Sequence, residues 1–442
     1  MTQAQRVYKM PFIGEVTVSN TFIVFACLAM LAQAIFIVVA FFGPSPKYKI
    51  TMPGSESVSS DQFLWNLEAI TDAKLNHCND IQVFTNGDQF YEAELQAISQ
   101  AKKNINLEAY IFEEGEIAKR YVDALTERAR AGVKVKVVMD GLGSASTKES
   151  YFDDFKKAGG KFAWYHSVKW YNLPHYNNRT HRELLVIDGT VGFIGGAGIA
   201  DHWYKQTKKD QPRWRDTVVR VEGDVVPNLQ ATFAENWLES TGELIAGPDY
   251  FPIIHRDEAK KAMIVNSMPS AGGSTRARVL MQSLIASAHK SILITTPYFL
   301  PDQSMKDELI RAKKRGVLVK IVTPGKKSDH LVTRSSSERS FGPLLKEGIQ
   351  IYEYQPAMIH AKILIVDGVW GVVGSTNFDN RSFGLNDEVN MAVFDEGFAS
   401  RLAEDFSRDL AQAKEMTYEE WAHRPFWQRG PELFGWVIER QQ

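Results

Sequence analysis

The sequence predicts an α/β fold in which two similar lobes, mixed sheets flanked by helices, share one chain and are preceded by one transmembrane helix. An uncharged apolar run opens the chain, helix-then-strand patterns recur in two copies, and a short motif built around histidine and an Asp-Gly pair also occurs twice. A helix, a glycine that stops it and a β-branched strand in succession are typical of α/β units. Two such lobes are therefore expected.

The apolar run from Thr21 to Phe42 contains no charged residue and exceeds the roughly 20 residues that a helix needs to cross the hydrocarbon layer. We therefore expect a single-pass anchor in the cell (inner) membrane. A cleaved signal peptide is the alternative, although its apolar core would be only about 7 to 15 residues long. Basic residues precede the run at Arg6 and Lys9 and follow it at Lys47 and Lys49, so the positive-inside rule assigns no side of the membrane.

Composition narrows the class of protein. The 442 residues are enough for two domains of ordinary size. Because the formal net charge is -2 and the basic residues are spread along the chain, nucleic acid is not an expected partner. The two cysteines, Cys27 and Cys78, form neither a metal-ligand cluster nor a disulfide framework, and they leave the redox compartment open.

The repeated patterns define the domain organisation. Residues 97–112 resemble 284–299, and residues 125–141 resemble 309–325, with a glycine ending the helix in both copies of the second pair. A unit of roughly 150 residues that occurs twice is too long for a solenoid repeat. The predicted segments are an N-terminal segment (1–20), the transmembrane helix (21–42), a linker (43–77), the first lobe (78–245), an inter-lobe linker (246–261), the second lobe (262–414) and an aromatic C-terminal tail (415–442). The tail either lies in a membrane interface or packs on the lobes.

The second copy of the motif carries the residue types that a phosphate-transfer site needs. His360 and Lys362 lie two apart, so an imidazole and an ammonium are expected to reach one phosphate from one face of a strand. Ser375 and Asn377 add neutral hydrogen-bond donors for a phosphoryl oxygen. Asp367 precedes a glycine, and this pair predicts either a hairpin turn or a catalytic carboxylate.

The first copy departs from the second at two positions: Glu183 replaces the lysine, and Gly198 stands where the second copy has Asn377. His181 and Asp188 match the second-copy histidine and aspartate, but Glu183 stands in the lysine position. Gly196, in the matching "GGAG" segment, is assigned to substrate binding. A cation replaced by an anion about 4 Å from a phosphate changes the interaction energy by several kcal/mol at an effective dielectric constant near 20.

Three interpretations of Glu183 stay open: a tuned transferase site, ordinary chemistry with a redundant lysine position, and a weakened site. Strand alternation puts Arg179 on the same face as His181 and Glu183, where its charge would compensate. A protonated Glu183, or a hydrogen bond from a glycerol hydroxyl to this residue, would serve the same end. Because both histidines and their candidate carboxylate partners are present, we favour activity.

The order His-x-Lys, four residues, Asp, six residues, Gly-Ser-x-Asn resembles the signature of the phospholipase D superfamily. Its presence in two lobes is similar to that family's duplicated enzymes. The stretches "YIFEEGE" (110–116), "PYFLPD" (297–302) and "STNFDNRSFGLNDEVN" (375–390) look most like the bacterial cardiolipin synthase branch. The resemblance covers nearly all of the chain after about residue 80 and implies two phospholipase D-like lobes.

The mechanism that this resemblance implies needs no metal and no cofactor. One histidine attacks phosphorus to form a phosphohistidine, and the other protonates the leaving alcohol and deprotonates the incoming one. By family analogy His181 is the nucleophile and His360 the acid and base. Alignment of the two copies assigns the carboxylate of Asp216 to His181 and that of Glu388 to His360, to hold each tautomer.

The resemblance implies a phosphatidyltransferase with a phospholipid substrate, which makes cardiolipin from phosphatidylglycerol as donor and acceptor and releases glycerol. A hydrolase that makes phosphatidic acid, a membrane-tethered nuclease and a catalytically weakened lipid-binding protein are the alternatives. The sequence leaves the donor and acceptor lipids, the sidedness and the oligomeric state open.

Overall fold

The computed structural model describes residues 5–10, 14–42, 47–51, 57–167, 177–207, 212–254, 260–269, 275–329 and 331–424. Strands β1 (Gln5–Met10) and β2 (Gly14–Ser19) form an antiparallel hairpin, and helix α1 (Asn20–Phe42) follows directly. Large apolar side chains of α1 are exposed, among them Phe22 and Phe25. Within the described residues no helix combines the length and the apolar character needed to cross a membrane, so the predicted single-pass anchor gains no support from the structure.

The predicted linker at 43–77 is corrected by the structure, because its second half is folded. Ser60 is the N-cap of helix α2 (Asp61–Thr71), and its side chain accepts a hydrogen bond from the amide of Phe63. Strand β3 (Asn76–Cys78) follows. The buried side chains of α2 pack in the core of the second lobe, and β3 joins the sheet of that lobe. Serine and aspartate at residues 59–61 occur in turns and also at helix N-caps, so this sequence was interpreted as a linker although it starts a helix.

The first lobe is built on a seven-stranded sheet with the order β4-β10-β9-β8-β5-β6-β7. Strands β5, β6 and β7 run parallel, whereas the other neighbours in this sheet are antiparallel. The elements are β4 (Asp80–Thr85), α3 (Gly87–Gln100), β5 (Asn104–Ala109), α4 (Glu116–Arg130), β6 (Lys134–Asp140), α5 (Asp153–Lys157), β7 (Lys161–Tyr165), β8 (Leu184–Ile187), β9 (Val191–Gly195), α6 (Asp201–Tyr204), β10 (Thr217–Glu222) and α7 (Val226–Thr241).

The second lobe repeats this topology in a nine-stranded sheet with the order β18-β14-β13-β12-β15-β16-β17-β11-β3. The stretch from β14 to β11 matches the whole sheet of the first lobe in order and strand direction. The elements are β11 (Lys260–Ser267), α8 (Arg276–Ala286), β12 (Ser291–Thr295), α9 (Gln303–Lys314), β13 (Leu318–Pro324), α10 (Leu331–Lys346), β14 (Gln350–Tyr354), β15 (Ile363–Val366), β16 (Trp370–Gly374), α11 (Asn380–Gly384), β17 (Glu388–Phe394), α12 (Glu396–Leu410), β18 (Ala413–Met416) and α13 (Tyr418–Ala422). The duplicated α/β fold is confirmed.

The predicted end of the second lobe at residue 414 is also corrected. Strand β18 pairs with β14 and so extends the sheet to Met416. Helix α13 packs on α10, where the indole of Trp421 donates to the carbonyl of Glu338 at 2.6 Å. The described start of the predicted tail therefore packs on the lobe, and residues 425–442 of the tail lie outside the described residues.

One apolar core is shared by the two lobes and holds them together. It contains side chains of β8, β9, β10 and α7 from the first lobe and of β15, β16, β17 and α12 from the second. Each lobe has a further core on its other side, under α3 and α4 in the first lobe and under α8 and α9 in the second. Burial of apolar surface at the shared core fixes the relative position of the two lobes.

Candidate active site

Backbone hydrogen bonds join the lobes at the two histidine segments. The residue before each histidine forms an isolated parallel β-bridge with the residue before a carboxylate of the other lobe. Thr180 pairs with Asp387, and Ile359 pairs with Arg215. The four bonds run from His181 N to Asp387 O (2.9 Å), from Asp387 N to Arg179 O (2.9 Å), from His360 N to Arg215 O (2.7 Å) and from Arg215 N to Met358 O (2.8 Å). The site is therefore composite, with equivalent contributions from both lobes.

As a result, each histidine contacts a carboxylate of the other lobe. The Nδ1 atom of His181 lies 3.0 Å from a carboxylate oxygen of Glu388, and Nδ1 of His360 lies 3.0 Å from Oδ2 of Asp216. The assignment of Asp216 to His181 and of Glu388 to His360 was wrong. Alignment of the repeats placed each carboxylate within its own lobe, but the backbone bridges bring each one to the other lobe's histidine.

Glu388 is fully buried and is held by polar groups of its own lobe. The hydroxyl of Ser375 donates to one carboxylate oxygen, and the amide of Asn386 donates to the other at 3.4 Å. On the opposite side, the ring of Tyr110 meets the ring of His181 edge to face, with a centroid distance of 5.1 Å. The imidazole therefore has a fixed orientation, with Nδ1 toward Glu388 and Nε2 left for the substrate.

Asp216 is held in the same manner in the first lobe. The indole of Trp203 donates to Oδ2 at 3.1 Å, and the amide of Thr217 donates to Oδ1 at 2.8 Å. Burial acts to raise the pKa of Asp216, but the hydrogen bond with His360 and the charge of Lys362 lower this pKa below its usual value. Asp216 is therefore ionised at neutral pH and accepts the proton on Nδ1 of His360.

His360 and Lys362 are both buried and in direct contact. The ammonium nitrogen of Lys362 lies 2.8 Å from Nδ1 and 3.1 Å from Nε2 of His360. Burial, with the charge of Lys362, lowers the pKa of His360 to about 4, although Asp216 opposes the shift. Burial also lowers the pKa of Lys362, while Asp216, Glu388 and Glu183 act to raise it. The imidazole of His360 is therefore neutral at neutral pH.

Glu183 lies in the site wall, in the position equivalent to that of Lys362. Its Oε1 atom accepts hydrogen bonds from the backbone amides of Tyr110 (3.1 Å) and Ile111 (3.3 Å). The side chain is 7% exposed. Burial raises the pKa of Glu183 well above its ordinary value, against the opposing effects of the Ile111 amide and the charge of Lys362. The difference between the two copies of the motif is therefore a buried, ordered feature of the site.

The predicted phosphate-binding residues gather around these side chains. Ser375 and Asn377 are buried directly after β16, and the Oδ1 atom of Asn377 has no hydrogen-bond partner among the described residues. Gly196 occupies the equivalent place after β9, where an added Cβ would lie 2.8 Å from Cδ of Lys362 and 3.0 Å from Oδ1 of Asp216. Glycine at this position lets the first-lobe backbone approach the second-lobe side chains closely. Substrate binding by these residues stays a prediction.

Asp188 and Asp367 do not contribute to the site, and the catalytic assignment of both is corrected. Each lies in the turn at the far end of the β8–β9 or β15–β16 hairpin, with a positive φ of 54° or 55°. The carboxylate of Asp188 accepts hydrogen bonds from the amides of residues 102–104, and that of Asp367 accepts hydrogen bonds from the amides of residues 289–291. Their task is to anchor the hairpin to the start of β5 or β12.

Arg179 is fully buried and lies two residues before His181. Its guanidinium donates to the carbonyls of Asn178 (2.6 Å) and His166 (3.0 Å) and lies 3.4 Å from Oδ1 of Asp140. These contacts give Arg179 a structural task in the loop that delivers His181. Its predicted compensation of Glu183 stays a prediction.

Sequence reasoning missed the aromatic side chains that surround the histidines. The rings of Trp203, Trp214 and Tyr298 lie 5.3, 5.5 and 6.4 Å from the ring of His360. Tyr110 and Tyr298 belong to the stretches "YIFEEGE" and "PYFLPD", so the resemblance did contain a signal for these two. The two tryptophans follow no spacing rule that links them to the motif, and a single sequence gave no reason to choose them.

A cleft of about 590 Å³ opens between the lobes. Trp214 lines this cleft, and its ring also contacts the ring of His360. The lining carries charges of both signs, from the acidic residues Glu113, Glu114, Asp201 and Asp329 and from the basic residues Lys326 and Lys327. The cleft therefore adjoins the site through Trp214 and has room for a polar ligand.

The fold and the site define a class of protein: a duplicated phospholipase D-like enzyme whose paired histidine motifs meet at the lobe interface. The family described as "Cardiolipin synthase, PLD-like domain" matches residues 95–210 and 281–410. Cardiolipin synthase 1 of Bacillus anthracis is 36% identical over 363 residues, which cover 80% of this chain and 70% of that protein. The major cardiolipin synthase ClsA of Bacillus subtilis (strain 168) is 34% identical over 393 residues, which cover 85% of this chain and 80% of that protein. The chain belongs to the cardiolipin synthase family of phospholipase D-like proteins.

Solved structures show the same fold at lower sequence identity. The phosphatidylserine synthase of Haemophilus influenzae Rd KW20 superposes with a TM-score of 0.67 at 14% identity, over 86% of this chain and 100% of that one. The polyphosphate kinase of Porphyromonas gingivalis superposes with a TM-score of 0.53 at 12% identity, over 84% of this chain and 53% of that one. These similarities concern the fold alone.

Proposed function

We propose that the protein is a cardiolipin synthase, a phosphatidyltransferase that joins two phosphatidylglycerol molecules and releases glycerol. The observation that carries this proposal is the composite site, in which His181 and His360 each bind a buried carboxylate of the other lobe through Nδ1. Each Nε2 is then available for chemistry on one phosphate. Two oriented imidazoles are what a two-step transfer requires, because one group must carry the phosphatidyl and another must move protons.

In the first step Nε2 of His181 attacks the phosphorus of the donor lipid, and the bond from phosphorus to the glycerol headgroup oxygen breaks. His360 gives a proton to that oxygen, so glycerol leaves and a phosphatidyl-histidine remains. In the second step His360 takes a proton from a headgroup hydroxyl of the acceptor lipid, whose oxygen attacks phosphorus and displaces His181. The products are one cardiolipin and one glycerol from two phosphatidylglycerols, and the histidines return to their starting state.

His360 must gain a proton before it acts as the acid. Its pKa of about 4, caused by burial and by Lys362, keeps the imidazole neutral. A bound phosphodiester brings negative charge next to both groups, and such a charge favours the protonated imidazole. Proton uptake is therefore coupled to substrate binding. If His360 instead stays neutral and attacks, the phosphorylated histidine trapped by rapid denaturation at alkaline pH will be His360 rather than His181.

The cleft that adjoins the site through Trp214 favours transfer over hydrolysis, because it offers room for a second headgroup. Carboxylates accept hydrogen bonds from glycerol hydroxyls, and lysine ammonium groups pair with the acceptor's own phosphate. Glu114 and Lys326 line the cleft without a place in the histidine constellation. If the acceptor binds here, Glu114→Ala and Lys326→Ala will raise the KM for phosphatidylglycerol and increase the ratio of phosphatidic acid to cardiolipin.

We further propose that helix α1 attaches the enzyme to the membrane that holds its substrate. Apolar side chains on every side of the described part of α1 are exposed, including Phe22, Phe25, Leu28 and Leu31. A helix that is apolar all round is stable in an apolar surrounding and not in water. Deletion of residues 1–46 should move the protein from the membrane fraction to the soluble fraction, whereas retention in the membrane would show that other surfaces bind lipid.

The test of function is mass spectrometry of the lipid products when the purified protein meets phosphatidylglycerol in detergent micelles. Cardiolipin and an equal amount of glycerol are expected from the parent protein, and neither from His181→Ala or His360→Ala. Phosphatidic acid without cardiolipin would make the protein a hydrolase. No product from the parent protein would support a lipid-binding protein in which the site no longer turns over.

A further inference from the structure

The carboxyl group of Glu183 has a place built for it in the wall of the active site. Its Oε1 atom accepts the amides of Tyr110 and Ile111, at 3.1 and 3.3 Å. Gly198 leaves the space beside it, because an added Cβ there would lie 2.5 Å from the carbonyl of Ile111 and 3.1 Å from Oε1 of Glu183. The second lobe has Lys362 and Asn377 at the two equivalent positions. Glu183 and Gly198 therefore form a matched pair and not an isolated substitution.

The hydrogen-bond pattern fits a neutral carboxylic acid. In that form the carbonyl oxygen accepts the two backbone amides, and the other oxygen carries a proton that it donates. A carboxylate with both oxygens as acceptors offers nothing to a phosphodiester but repulsion. A neutral acid offers the phosphate a hydrogen-bond donor, as the lysine does in the second lobe.

The surrounding charges favour the same form. An ionised Glu183 would be the third carboxylate of the site, with Asp216 and Glu388, around the ammonium of Lys362. A neutral Glu183 removes one of these negative charges and so lowers the repulsion that an anionic substrate meets. Among the described residues, the titratable and charged groups that interact with Glu183 or share its cavity are Lys362, Asp216, Tyr91, Tyr110, Glu94 and Glu108. Burial raises the pKa of Glu183 well above its usual value, in line with this count.

We propose that Glu183 works as a protonated, neutral acid whose O–H donates a hydrogen bond to the substrate phosphate in the position where a lysine would otherwise bind it. The inference rests on the proposed phosphate-transfer function and specifies how the first lobe binds the substrate phosphate in that site. Phosphate binding then depends on a proton, and the first lobe contributes a neutral donor while the second contributes the cation. Transfer and hydrolysis use the same phosphate, so the inference is independent of which of them the enzyme performs.

The kinetic test compares Glu183→Gln, Glu183→Ala and Glu183→Lys over a range of pH, with total turnover of phosphatidylglycerol as the readout. Glutamine keeps the acceptor and the donor of the neutral acid, so kcat/KM should stay within about threefold of the parent, whereas loss of the donor in the alanine variant should cost about tenfold or more. The lysine variant should also lose activity, because the amides of Tyr110 and Ile111 lose their acceptor. The parent should lose kcat/KM as pH rises and Glu183 ionises, and the glutamine variant should lack this decline.

Glu94→Gln is the matched control. Glu94 is a half-buried glutamate that lines the same small cavity, and its carboxylate accepts a hydrogen bond from the hydroxyl of Tyr121. The same substitution there should leave the alkaline decline in place. A glutamine variant at Glu183 that is as impaired as alanine, or that keeps the alkaline decline of the parent, would overturn the proposal.

A binding measurement separates this inference from the proposed function. Tungstate is a phosphate mimic that keeps its charge across the pH range, and calorimetry in buffers of different ionisation enthalpy counts the protons that bind with it. At neutral pH the parent protein and Glu183→Gln should bind tungstate with affinities within about threefold of each other and with equal proton uptake, because Glu183 is already protonated. At alkaline pH, where Glu183 ionises in the free protein, the parent alone should take up about one additional proton. Tighter tungstate binding by Glu183→Gln at neutral pH would contradict a neutral Glu183, even if cardiolipin is made. Equal affinities there would support it, even if no lipid is turned over.

Discussion

The two lobes share a scaffold but divide the chemistry. Both have a histidine before the central hairpin, an aspartate that anchors the hairpin turn, and a carboxylate that reaches the histidine of the other lobe. The second lobe alone carries Lys362, Ser375 and Asn377, whereas the first lobe has Glu183 and two glycines in those places. Duplication thus preserved the groups that position the histidines in both lobes. The groups that we propose to bind phosphate differ between the lobes, because one substrate needs one set of donors.

Removal of either histidine should have the largest effect and should be equal in the two lobes. Each imidazole is required in both steps, so His181→Ala and His360→Ala should each lower kcat for cardiolipin formation by about 10⁴-fold or more. The measurement is steady-state product formation in micelles, with thermal unfolding as the control for folding. Substantial activity in one variant would show that the lobes are not equivalent in their chemistry.

Substitution of Glu388 or Asp216 should have the second-largest effect on kcat. These variants test whether each carboxylate positions the histidine of the other lobe. Glu388→Gln and Asp216→Asn keep the shape of the site but remove the charge that holds each Nδ1 proton, so kcat should fall by about 10² to 10⁴-fold. Asp216→Asn removes an acceptor from His360 and Trp203, whereas Glu388→Gln disturbs His181 and Ser375. Little loss of kcat in either variant would show that the carboxylate does not position its histidine.

The turn aspartates should affect stability and spare the chemistry. Asp188→Ala and Asp367→Ala each leave backbone amides without an acceptor, which should cost about 1 to 3 kcal/mol of the free energy of unfolding. Activity per folded molecule should stay within about twofold, because both residues lie at the far end of the hairpin from the histidines. Urea unfolding checks the first expectation and kinetics the second. A loss of kcat comparable to that of the carboxylate variants would restore the catalytic interpretation of these residues.

The last effect appears only at acid pH. His360 of the second lobe should make the free energy of unfolding depend on pH. The pKa of His360 falls from 6.5 to about 4 on folding because burial and Lys362 disfavour the charged form. Between these values the unfolded chain binds a proton that the folded protein does not, so stability should fall as pH decreases from about 6.5 to about 4. His360→Gln should remove at most about 3 kcal/mol of this decline. An unchanged pH dependence in the variant would show that His360 is protonated in the folded protein.

Much of the fold was predictable because its signals are local. Glycine-stopped helices and β-branched strands repeat along the chain and predicted two similar lobes, whereas the order of the strands in each sheet came from the structure. The linker at 43–77 was misplaced because α2 and β3 are stabilised by the second lobe, far away in sequence. The motif located His181, His360 and both carboxylates. Their crossed pairing depends on the backbone bridges between Thr180 and Asp387 and between Arg215 and Ile359, which no local pattern encodes.

The central claim is that each motif histidine, His181 or His360, is held by a carboxylate of the other lobe, and ¹⁵N NMR of histidine-labelled protein tests it most directly. The chain has 10 histidines, so the two signals can be assigned by their loss in His181→Asn and His360→Asn. Glu388→Gln should shift the ring nitrogens of His181 and leave those of His360 nearly unchanged, and Asp216→Asn should do the reverse. A shift of His360 in Glu388→Gln, with His181 unmoved, would return each carboxylate to its own lobe and contradict the composite site.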